Sequence, residues 1–302
     1  MSYFFEPQMI LNFNINKYRP ALAAASILMF HGFPALAARE AVTRSRFLMG
    51  TLCEVTAYGD AAPAAITSAF EEIARLEQVM SAFKDDSELS RLNRTAAFKP
   101  FACSATLWEV LSRSDEVYRR SQGAFDPTAA SPRRGFHQVR LWAKDRSVSF
   151  AATGIAVDLG GIGKGFALDA AADRLKARGI RSALLNFGGQ ILAVGAPPGK
   201  TAWEVVVPGA PRPIHLRDAS ISTSSLSENP GHIRSPRTGR PIERPGGVAV
   251  ILPTATEADA WSTAAFVAGI DPFSRDFEGC LIEIKTSGGV RFAGKCPQGD
   301  PL

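Results

Sequence analysis

The chain has 302 residues, of which 46% are apolar and 21% charged, and this composition is typical of a globular protein with a sizeable core. It excludes an intrinsically disordered chain. The formal net charge is +5 and no run of Lys and Arg occurs, so we expect no nucleic-acid partner. The length fits one large domain or two small ones.

The amino-terminal segment has the layout of a cleaved secretory signal. Lys17 and Arg19 precede an apolar run at residues 21–30, and the small-residue sequence Pro-Ala-Leu-Ala-Ala follows at residues 34–38. A charged region, a short apolar region and an Ala-x-Ala site are the three parts of such a signal. The run is short for a membrane span, so a permanent anchor is the lesser alternative. We therefore predict an exported protein whose signal peptide is residues 1–37.

Hydrophobic periodicity predicts the elements of a single domain at residues 38–302. Strands are predicted at residues 47–58, 140–150, 155–159, 203–207 and 248–252, with hairpins at 184–194 and 279–295. Helices are predicted at residues 64–83, 88–93 (capped by Ser87), 107–122, 166–178 and 257–268. Because strands and helices are interleaved without regular βαβ alternation, we predict an α+β fold.

Four cysteines follow the predicted signal peptide: Cys53, Cys103, Cys280 and Cys296. An even number permits two disulfides, with three possible connectivities, in an oxidising compartment. Cys280 and Cys296 flank the predicted carboxyl-terminal hairpin, so they are the favoured pair. The alternative is four buried free thiols.

The segment Asp-Leu-Gly-Gly-Ile-Gly-Lys-Gly at residues 158–165 lies between a predicted strand and a predicted helix. Small residues let the backbone approach a phosphate, a helix start offers free N–H groups, and Lys164 adds a positive charge. The segment is not a Walker A loop, because Asp158 and Gly165 stand where that motif has Gly and Ser or Thr. The alternative is a tight turn with a solvated lysine.

Two further segments carry polar side chains suited to chemistry. Asp259 and Thr263 are four residues apart on a predicted helix and share a face, so their oxygen atoms suit Mg²⁺. The alternative is that Asp259 only caps this helix, because Thr256 and Asp259 have the spacing of a capping box. His232 lies in a polar loop, where a neutral imidazole could act as a general base or simply be a surface residue.

Together these segments resemble the ApbE family, the FAD:protein FMN transferases. The matching segments, in the family's order, are Met49-Gly50-Thr51, residues 80–83 and 86–93, Gly123 to Thr128, Asp158 to Gly165, Asn186 to Gly189, His232 to Gly239, and Ala258-Asp259-Ala260 with Thr263. The resemblance implies an α+β, T-fold-like architecture with mixed or antiparallel sheets and flanking helices.

The resemblance also implies a set of site residues. The FAD-binding residues would be Met49, Phe83, Ala124, Phe125, Asp126, Asp158, Lys164, His232 and Ile233. The Mg²⁺ ligands would be Gly161 through its carbonyl, Asp259, Ser262 and Thr263. The catalytic residues would be His232, as base, and Asp259. Three positions depart from the family pattern: Phe83 for a common Tyr, Ser235 for Asp, and Ser262 for a second acidic ligand found in some members.

The activity implied by the resemblance is an Mg²⁺-dependent transfer of the FMN half of FAD onto a Ser or Thr hydroxyl, with release of AMP. The implied partner is an electron-transfer flavoprotein in the periplasm, and any association with the inner membrane would be indirect, through that target. The alternatives are an FAD pyrophosphatase that uses water in place of the hydroxyl, or a non-catalytic periplasmic FAD-binding protein.

Overall fold

The structure, a computed structural model, describes residues 40–226 and 231–296. The predicted signal peptide at residues 1–37 lies outside the described residues. Both described ranges belong to one compact unit, Ala38–Leu302. Within these ranges, every helix is too short or too polar to traverse a lipid bilayer.

The described chain alternates helices with mostly short strands. Its helices are α1 (Ala62–Met80), α2 (Glu88–Thr95), α3 (Ala105–Arg120), α4 (Gly163–Ala177) and α5 (Ala255–Ala268). Its strands are β1 (Ala41–Leu48), β2 (Thr51–Tyr58), β3 (Phe101–Ala102), β4 (Val139–Trp142), β5 (Ser147–Phe150), β6 (Ala183–Phe187), β7 (Gln190–Val194), β8 (Trp203–Val205), β9 (Ile214–Leu216), β10 (Ala219–Ser225), β11 (Gly247–Leu252), β12 (Cys280–Ile284) and β13 (Val290–Gly294).

The largest sheet has eight strands in the order β1-β2-β6-β7-β10-β11-β12-β13. Two smaller sheets have the orders β3-β5-β4 and β8-β9. Every strand pair in the described ranges is antiparallel. Helix α4 packs between α1 and α5, and α5 lies against β10 and β11. The predicted α+β class is confirmed, and its sheets are antiparallel.

The core lies between the large sheet and this layer of helices. Helix α1 buries Ile66, Ile73 and Leu76 at helical spacing, which is why the periodicity predicted it. Helix α5 differs from α1, because it has apolar and small residues on all its faces and is buried over most of its length. A second apolar cluster, which includes Trp203 and Ile282, packs on the other side of the sheet.

Two predicted strands are hairpins instead. The strand predicted at residues 47–58 is interrupted by the turn Met49-Gly50, where φ is +46° and +78°. Two successive positive φ values are typical of the tight turns that join antiparallel strands. The strand predicted at residues 140–150 likewise turns back between β4 and β5. In both segments the residues on each side of the turn are typical of strands. Hydrophobic periodicity alone therefore predicted one continuous strand where the structure has two.

The prediction of a strand at residues 155–159 is wrong, because these residues belong to no strand of the described chain. Their backbone is satisfied by a side chain from α2. Asn93 Nδ2 donates to the Val157 carbonyl over 2.9 Å, and Asn93 Oδ1 accepts from the Val157 amide over 2.8 Å. The Asp158 amide donates to the Pro127 carbonyl over 2.8 Å. These bonds hold the segment that leads into the glycine loop.

The helix boundaries shift by a few residues from those predicted. Helix α1 ends at Met80, three residues early, because Ser81 is extended with ψ 128°. Helix α4 begins at Gly163, so the end of the glycine loop is its first turn. The cap of α2 is confirmed, since Ser87 Oγ accepts from the Ser90 amide over 2.9 Å. Strands β3, β9 and β10 and most of β1 escaped prediction.

The cysteine prediction is confirmed for the favoured pair. Cys280 and Cys296 form a disulfide that joins the start of β12 to the residues after β13. Cys53 and Cys103 are buried free thiols, so the alternative of four free thiols is wrong. Burial raises the pKa of both the Cys53 and the Cys103 thiol to about 12.

Candidate functional site

A cavity of about 390 Å³, lined by both polar and apolar side chains, opens where several loops meet the helix layer. We call it the main cavity. Its walls come from the β1–β2 turn, the segment after α1, the loop after α3, the glycine loop, the β6–β7 turn, β10, the loop at residues 232–236, and α5. Segments far apart in the sequence therefore converge on one space.

The glycine loop forms one wall of the main cavity. Asp158 Oδ1 accepts a hydrogen bond from the Gly160 amide over 2.8 Å, which closes the turn that follows Asp158. Ile162 precedes the first residue of α4 and provides no side-chain cap. Lys164 stands in the first turn of α4 and lines the cavity with Asp158. The positive end of the α4 dipole and a nearby cation together suit an anion.

Asp259 faces this helix start from α5 and is only 4% exposed. Its Oδ2 accepts a hydrogen bond from the Gly165 amide over 3.0 Å. A Cβ at Gly165 would lie 2.1 Å from the Ala255 carbonyl oxygen and 2.9 Å from Asp259 Cβ, so glycine is required for this approach. The loop motif and the α5 carboxylate are thus parts of one site.

The alternative interpretation, in which Asp259 only caps α5, is wrong. The cap is Thr254, whose Oγ1 accepts from the Glu257 amide over 3.3 Å. Asp169 of α4 adds a second clamp, since its carboxylate oxygens accept from the Ala255 and Thr256 amides over 2.8 Å each. Burial raises the pKa of Asp169 above its ordinary value, against the opposing effect of these donors. Because other residues cap the helix, Asp259 can act in the cavity.

The residues around Asp259 fit a hard cation. Thr263 Oγ1 lies beside the glycine loop. A Cβ added to Gly161 would be 3.1 Å from this oxygen. Asp259 and Thr263 both line the main cavity, so a carboxylate and a hydroxyl oxygen meet at one wall. Oxygen ligands of this kind are those that Mg²⁺ prefers. The described ranges contain no group of three or more His, Cys, Asp or Glu side chains placed to hold a metal ion.

Ser262 is the one predicted ligand that does not line the main cavity. It is fully buried, and its Oγ lies 2.9 Å from the Asp259 carbonyl oxygen and 2.9 Å from Ser224 Oγ. Ser222 Oγ is also within 3.3 Å. Ser222 and Ser224 do line the cavity, so Ser262 holds two of the lining side chains in place from the buried side.

Gln190 is a cavity residue that sequence reasoning missed. Its side chain is 2% exposed, and Nε2 donates to the Ala255 carbonyl over 2.7 Å. Its Oε1 is buried without a hydrogen-bond partner in the described chain. If the amide were rotated by 180°, Oε1 would face the Ala255 carbonyl oxygen, and both atoms are acceptors. The hydrogen bond from Nε2 therefore keeps Oε1 on the side away from that carbonyl. A buried acceptor of this kind calls for a donor from a ligand or water.

The loop after β10 brings His232 to the cavity. Its neighbour Ile233 is buried, and the loop closes through an isolated bridge between Arg234 and Pro241. His232, Ile233 and Arg234 all line the main cavity. Ser235 lies in the turn of the loop, where its Oγ accepts from the Thr238 amide over 3.4 Å. Arg234 adds a second cation to the cavity that the sequence did not single out.

The turn after α3 is built by its own side chains. Ser121 Oγ accepts from the Phe125 amide over 3.0 Å. Asp126 Oδ1 accepts from both the amide and the hydroxyl of Thr128, each over 2.7 Å. Ala124, Phe125 and Asp126 line the main cavity. The turn therefore presents an aromatic ring and a carboxylate in fixed positions.

A second, more apolar cavity of about 570 Å³ adjoins the main cavity. We call it the side cavity. Met49, Phe83, Asp158 and Lys164 line both cavities. Phe47 and Met80 belong to the side cavity only. A planar apolar group in the side cavity could thus extend into the charged main cavity.

All the predicted site residues except Ser262 therefore line one cavity. These residues are Met49, Phe83, Ala124, Phe125, Asp126, Asp158, Gly161, Lys164, His232, Ile233, Asp259 and Thr263. The missed cavity residues include Thr51, Gln190, Arg234 and the serines of β10. Of these, Thr51 and Arg234 had a sequence signal, since they lie inside the motifs at residues 49–51 and 232–239.

Comparison with known proteins agrees with this fold and shows the family. The model of the ApbE family matches residues 49–277. The chain is 32% identical over 286 residues to the FAD:protein FMN transferase of Treponema pallidum (strain Nichols), covering 76% of this chain and 79% of that protein. The chain therefore belongs to the ApbE family.

Solved structures share the fold. The flavinyl transferase ApbE of Pseudomonas stutzeri, in its apo form, has a TM-score of 0.76 at 21% identity, covering 86% of this chain and 97% of that one. The flavin transferase ApbE of Vibrio cholerae has a TM-score of 0.73 at 23% identity, covering 84% and 96%. At these identities the two structures define the architecture.

Proposed function

We propose that the protein transfers the FMN half of FAD to a Ser or Thr hydroxyl of a target flavoprotein and releases AMP. The observation that carries this proposal is the meeting of Asp158, Lys164, Asp259, Thr263 and His232 in one cavity. Anion-binding groups, oxygen ligands and a candidate base are the three components that phosphoryl-type transfer needs. The relatives named FAD:protein FMN transferase support the same activity.

The chain's own groups suit a diphosphate that spans the main cavity. Lys164 and Arg234 supply positive charge, and the start of α4 supplies the helix dipole. The apolar walls of the side cavity and Phe125 suit the ring systems at the two ends of FAD. Gln190 Oε1 offers an acceptor to a hydroxyl group of the bound substrate.

Asp259 and Thr263 would hold Mg²⁺, with the Gly161 carbonyl as a further oxygen ligand. When bound, the ion would neutralise the charge that develops on the reacting phosphate. The Gly165 amide keeps the Asp259 carboxylate in place through Oδ2. The remaining ligands of such a site would come from phosphate and water, as is usual for Mg²⁺.

The reaction exchanges the phosphoanhydride bond of FAD for a phosphoester bond. The target hydroxyl oxygen bonds to the FMN-side phosphorus, and the bond from that phosphorus to the bridging oxygen breaks. AMP leaves with the bridging oxygen, and FMN stays on the target as a phosphoester. His232 takes the hydroxyl proton, a contribution of about a hundred- to ten-thousandfold in typical enzymes.

A single assay tests the proposal against its alternatives. The purified protein is incubated with FAD and Mg²⁺, with and without a flavoprotein domain that bears an exposed Ser or Thr acceptor. We expect a fluorescent flavin-labelled target and an equal amount of AMP. AMP without target identifies a pyrophosphatase, and FAD binding with neither product identifies a non-catalytic FAD-binding protein.

We also propose that the protein works outside the cytoplasm, in the periplasm. The signal-like pattern at residues 1–37 and the Cys280–Cys296 disulfide support this location, since disulfides persist in oxidising compartments. Fractionation of cells that express the full chain, with Edman sequencing of the exported form, tests it. A cytoplasmic product with residues 1–37 retained would contradict it.

A further inference from the structure

Exposed apolar side chains cluster at the mouth of the site. Among the described residues, the large apolar side chains that face solvent are Phe47, Leu52, Phe83, Phe98, Trp142 and Val206. Three of them, Phe47, Leu52 and Phe83, belong to the segments that border the main and side cavities. We call these three residues the rim patch.

The geometry of the β1–β2 hairpin builds this patch. Phe47 and Leu52 are register partners on either side of the turn Met49-Gly50, so their side chains lie next to each other on one face of the hairpin. That face points away from the core, because the neighbouring positions Cys53 and Val55 of β2 alternate with it and are fully buried. Strand β1 ends the sheet, so no further strand of the described chain extends beyond it.

Phe83 joins the hairpin to the site. It is 91% exposed, it lines the main cavity, and it shares the side cavity with Phe47, which is 71% exposed. Met49 and Thr51, on the turn between Phe47 and Leu52, also line the main cavity. A protein bound to the rim patch would therefore lie at the cavity entrance.

Several charged side chains near Phe47 and Leu52 have partners within the chain, whereas Asp85 and Asp86, which follow Phe83, are exposed. Lys84 forms an ion pair with Glu77 over 3.0 Å. Arg46 stacks over the Phe70 ring, and Arg44 donates to the Pro63 carbonyl over 3.1 Å. Glu54 Oε2 accepts from Ser45 Oγ over 3.3 Å. Phe47 and Leu52 themselves offer an exposed apolar contact, which suits an apolar partner surface.

We propose that the rim patch is the docking surface for the acceptor protein, which rests an uncharged apolar face on Phe47 and Leu52 while its hydroxyl enters the main cavity. The inference rests on the proposed function. That function requires a protein co-substrate at the cavity mouth, because the attacking oxygen must reach a phosphate bound inside. Without a binding role, solvent-exposed Phe and Leu side chains at that mouth would only lower the solubility of the protein.

The test compares Phe47→Ser and Leu52→Ser with the control variants Phe98→Ser and Trp142→Ser. Phe98 is 78% exposed and Trp142 is 52% exposed, and neither lines the main or the side cavity. Steady-state transfer is measured with two acceptors: a folded domain that the wild-type protein labels, and a short peptide that carries the same hydroxyl. FAD affinity is measured separately by flavin fluorescence.

We expect Phe47→Ser and Leu52→Ser to raise KM for the folded domain by about tenfold each, with unchanged kcat. FAD affinity and transfer to the peptide should stay at the wild-type level in Leu52→Ser, whose side chain lines neither cavity, and the control variants should behave as wild type with both acceptors. Phe47→Ser is compared at saturating FAD, because Phe47 also lines the side cavity. Unchanged KM for the domain in both rim variants would overturn the docking surface alone. Weakened FAD binding in Leu52→Ser would overturn the docking role of Leu52.

A wild-type protein that labels no domain overturns the transferase proposal itself, and the docking surface with it. Equal losses in the rim variants and in Phe98→Ser would indicate a general solubility effect and also overturn the inference. Thermal unfolding of all four variants accompanies the kinetics. Equal unfolding temperatures in rim and control variants are expected, because all four side chains are exposed.

Discussion

The Gly165 amide donates a hydrogen bond to Asp259 Oδ2 over 3.0 Å and thereby joins the first turn of α4 to α5. The two residues are 94 positions apart in the sequence. The glycine has no space for a side chain, and the aspartate is almost fully buried. The position of Asp259, the proposed metal ligand on α5, thus depends on a residue without a Cβ at position 165 of α4.

Gly165→Ala should damage both stability and activity. The new Cβ would lie 2.1 Å from the Ala255 carbonyl oxygen, so α5 must move. We expect a loss of about 1–3 kcal/mol in the free energy of unfolding, measured by urea denaturation, and loss of transfer. Gly163→Ala is the matched control, because its Cβ would meet only ordinary contacts at 3.9 Å. Similar losses in the two variants would contradict the role of Gly165.

Asp259→Asn should remove Mg²⁺-dependent turnover while it preserves the fold. The amide oxygen can still accept from the Gly165 amide, but the negative charge is lost. We expect kcat to fall by at least about a hundredfold, with an unfolding temperature close to wild type. Glu257→Gln, on the same helix but outside the main cavity, should retain activity. Full activity of Asp259→Asn at any Mg²⁺ concentration would remove Asp259 from the mechanism.

Gln190 can be tested with two variants of similar size. Gln190→Glu replaces the donor Nε2 by an oxygen that faces the Ala255 carbonyl, so we expect a clear loss of stability. Gln190→Met removes both the donor and the unpaired Oε1, so it should be less destabilising than Gln190→Glu. Calorimetric unfolding ranks the two. If Oε1 accepts from bound FAD, Gln190→Met should also weaken FAD binding by about five- to tenfold.

The stability of the α1–α4 contact should depend on pH. Hydrogen bonds from Arg75 and Arg174 hold the pKa of Glu72 below its ordinary value of 4.5. The folded state thus favours the ionised carboxylate, and this stabilisation is full above about pH 4.5 and is lost as the pH falls through the lower folded pKa. Glu72→Gln should cost about 1 kcal/mol at pH 7.

The cost of Glu72→Gln should shrink toward zero in acid, and urea denaturation between pH 3 and pH 7, in roughly unit steps, measures it. Glu71→Gln is the control, because Glu71 is exposed beside Glu72 on α1. A pH-independent difference between Glu72→Gln and wild type would show that the carboxylate charge is not what joins the two helices.

Thiol counting should distinguish the disulfide from the buried thiols. The native protein should expose no reactive thiol, because Cys53 and Cys103 are buried and their pKa is about 12. Unfolding without reductant should release these two, and unfolding with reductant should release all four. Loss of the Cys280–Cys296 bond should lower the free energy of unfolding by about 3 kcal/mol. Four thiols without reductant would contradict the disulfide.

The sequence indicated the loops of the site better than its floor. The glycine loop and the motif at residues 232–239 are unusual strings of small and polar residues at helix and strand ends, so they were visible without the fold. Strand β10 was missed because Ser220, Ser222 and Ser224 face inward, where an apolar pattern is expected. Their burial comes from α5, which no local pattern reveals.

Asp259 illustrates the other limit of sequence reasoning. Spacing alone favoured a helix cap, because Thr256 and Asp259 fit the capping box as well as they fit a metal site. The actual cap is Thr254, and Asp169 holds the same helix end from α4. Only long-range contacts free Asp259 for the cavity, and long-range contacts are absent from any local pattern.

The close seam between α4 and α5 limits how the protein can vary. Gly165 and Ala167 of α4, and Ala258 and Ala264 of α5, are buried small residues in these two helices. Enlarging Gly165, whose Cβ would overlap the Ala255 carbonyl, would spread the helices and carry Asp259 away from the glycine loop. Tolerance to substitution should therefore be low at Gly165, although a residue without a side chain takes no part in the chemistry.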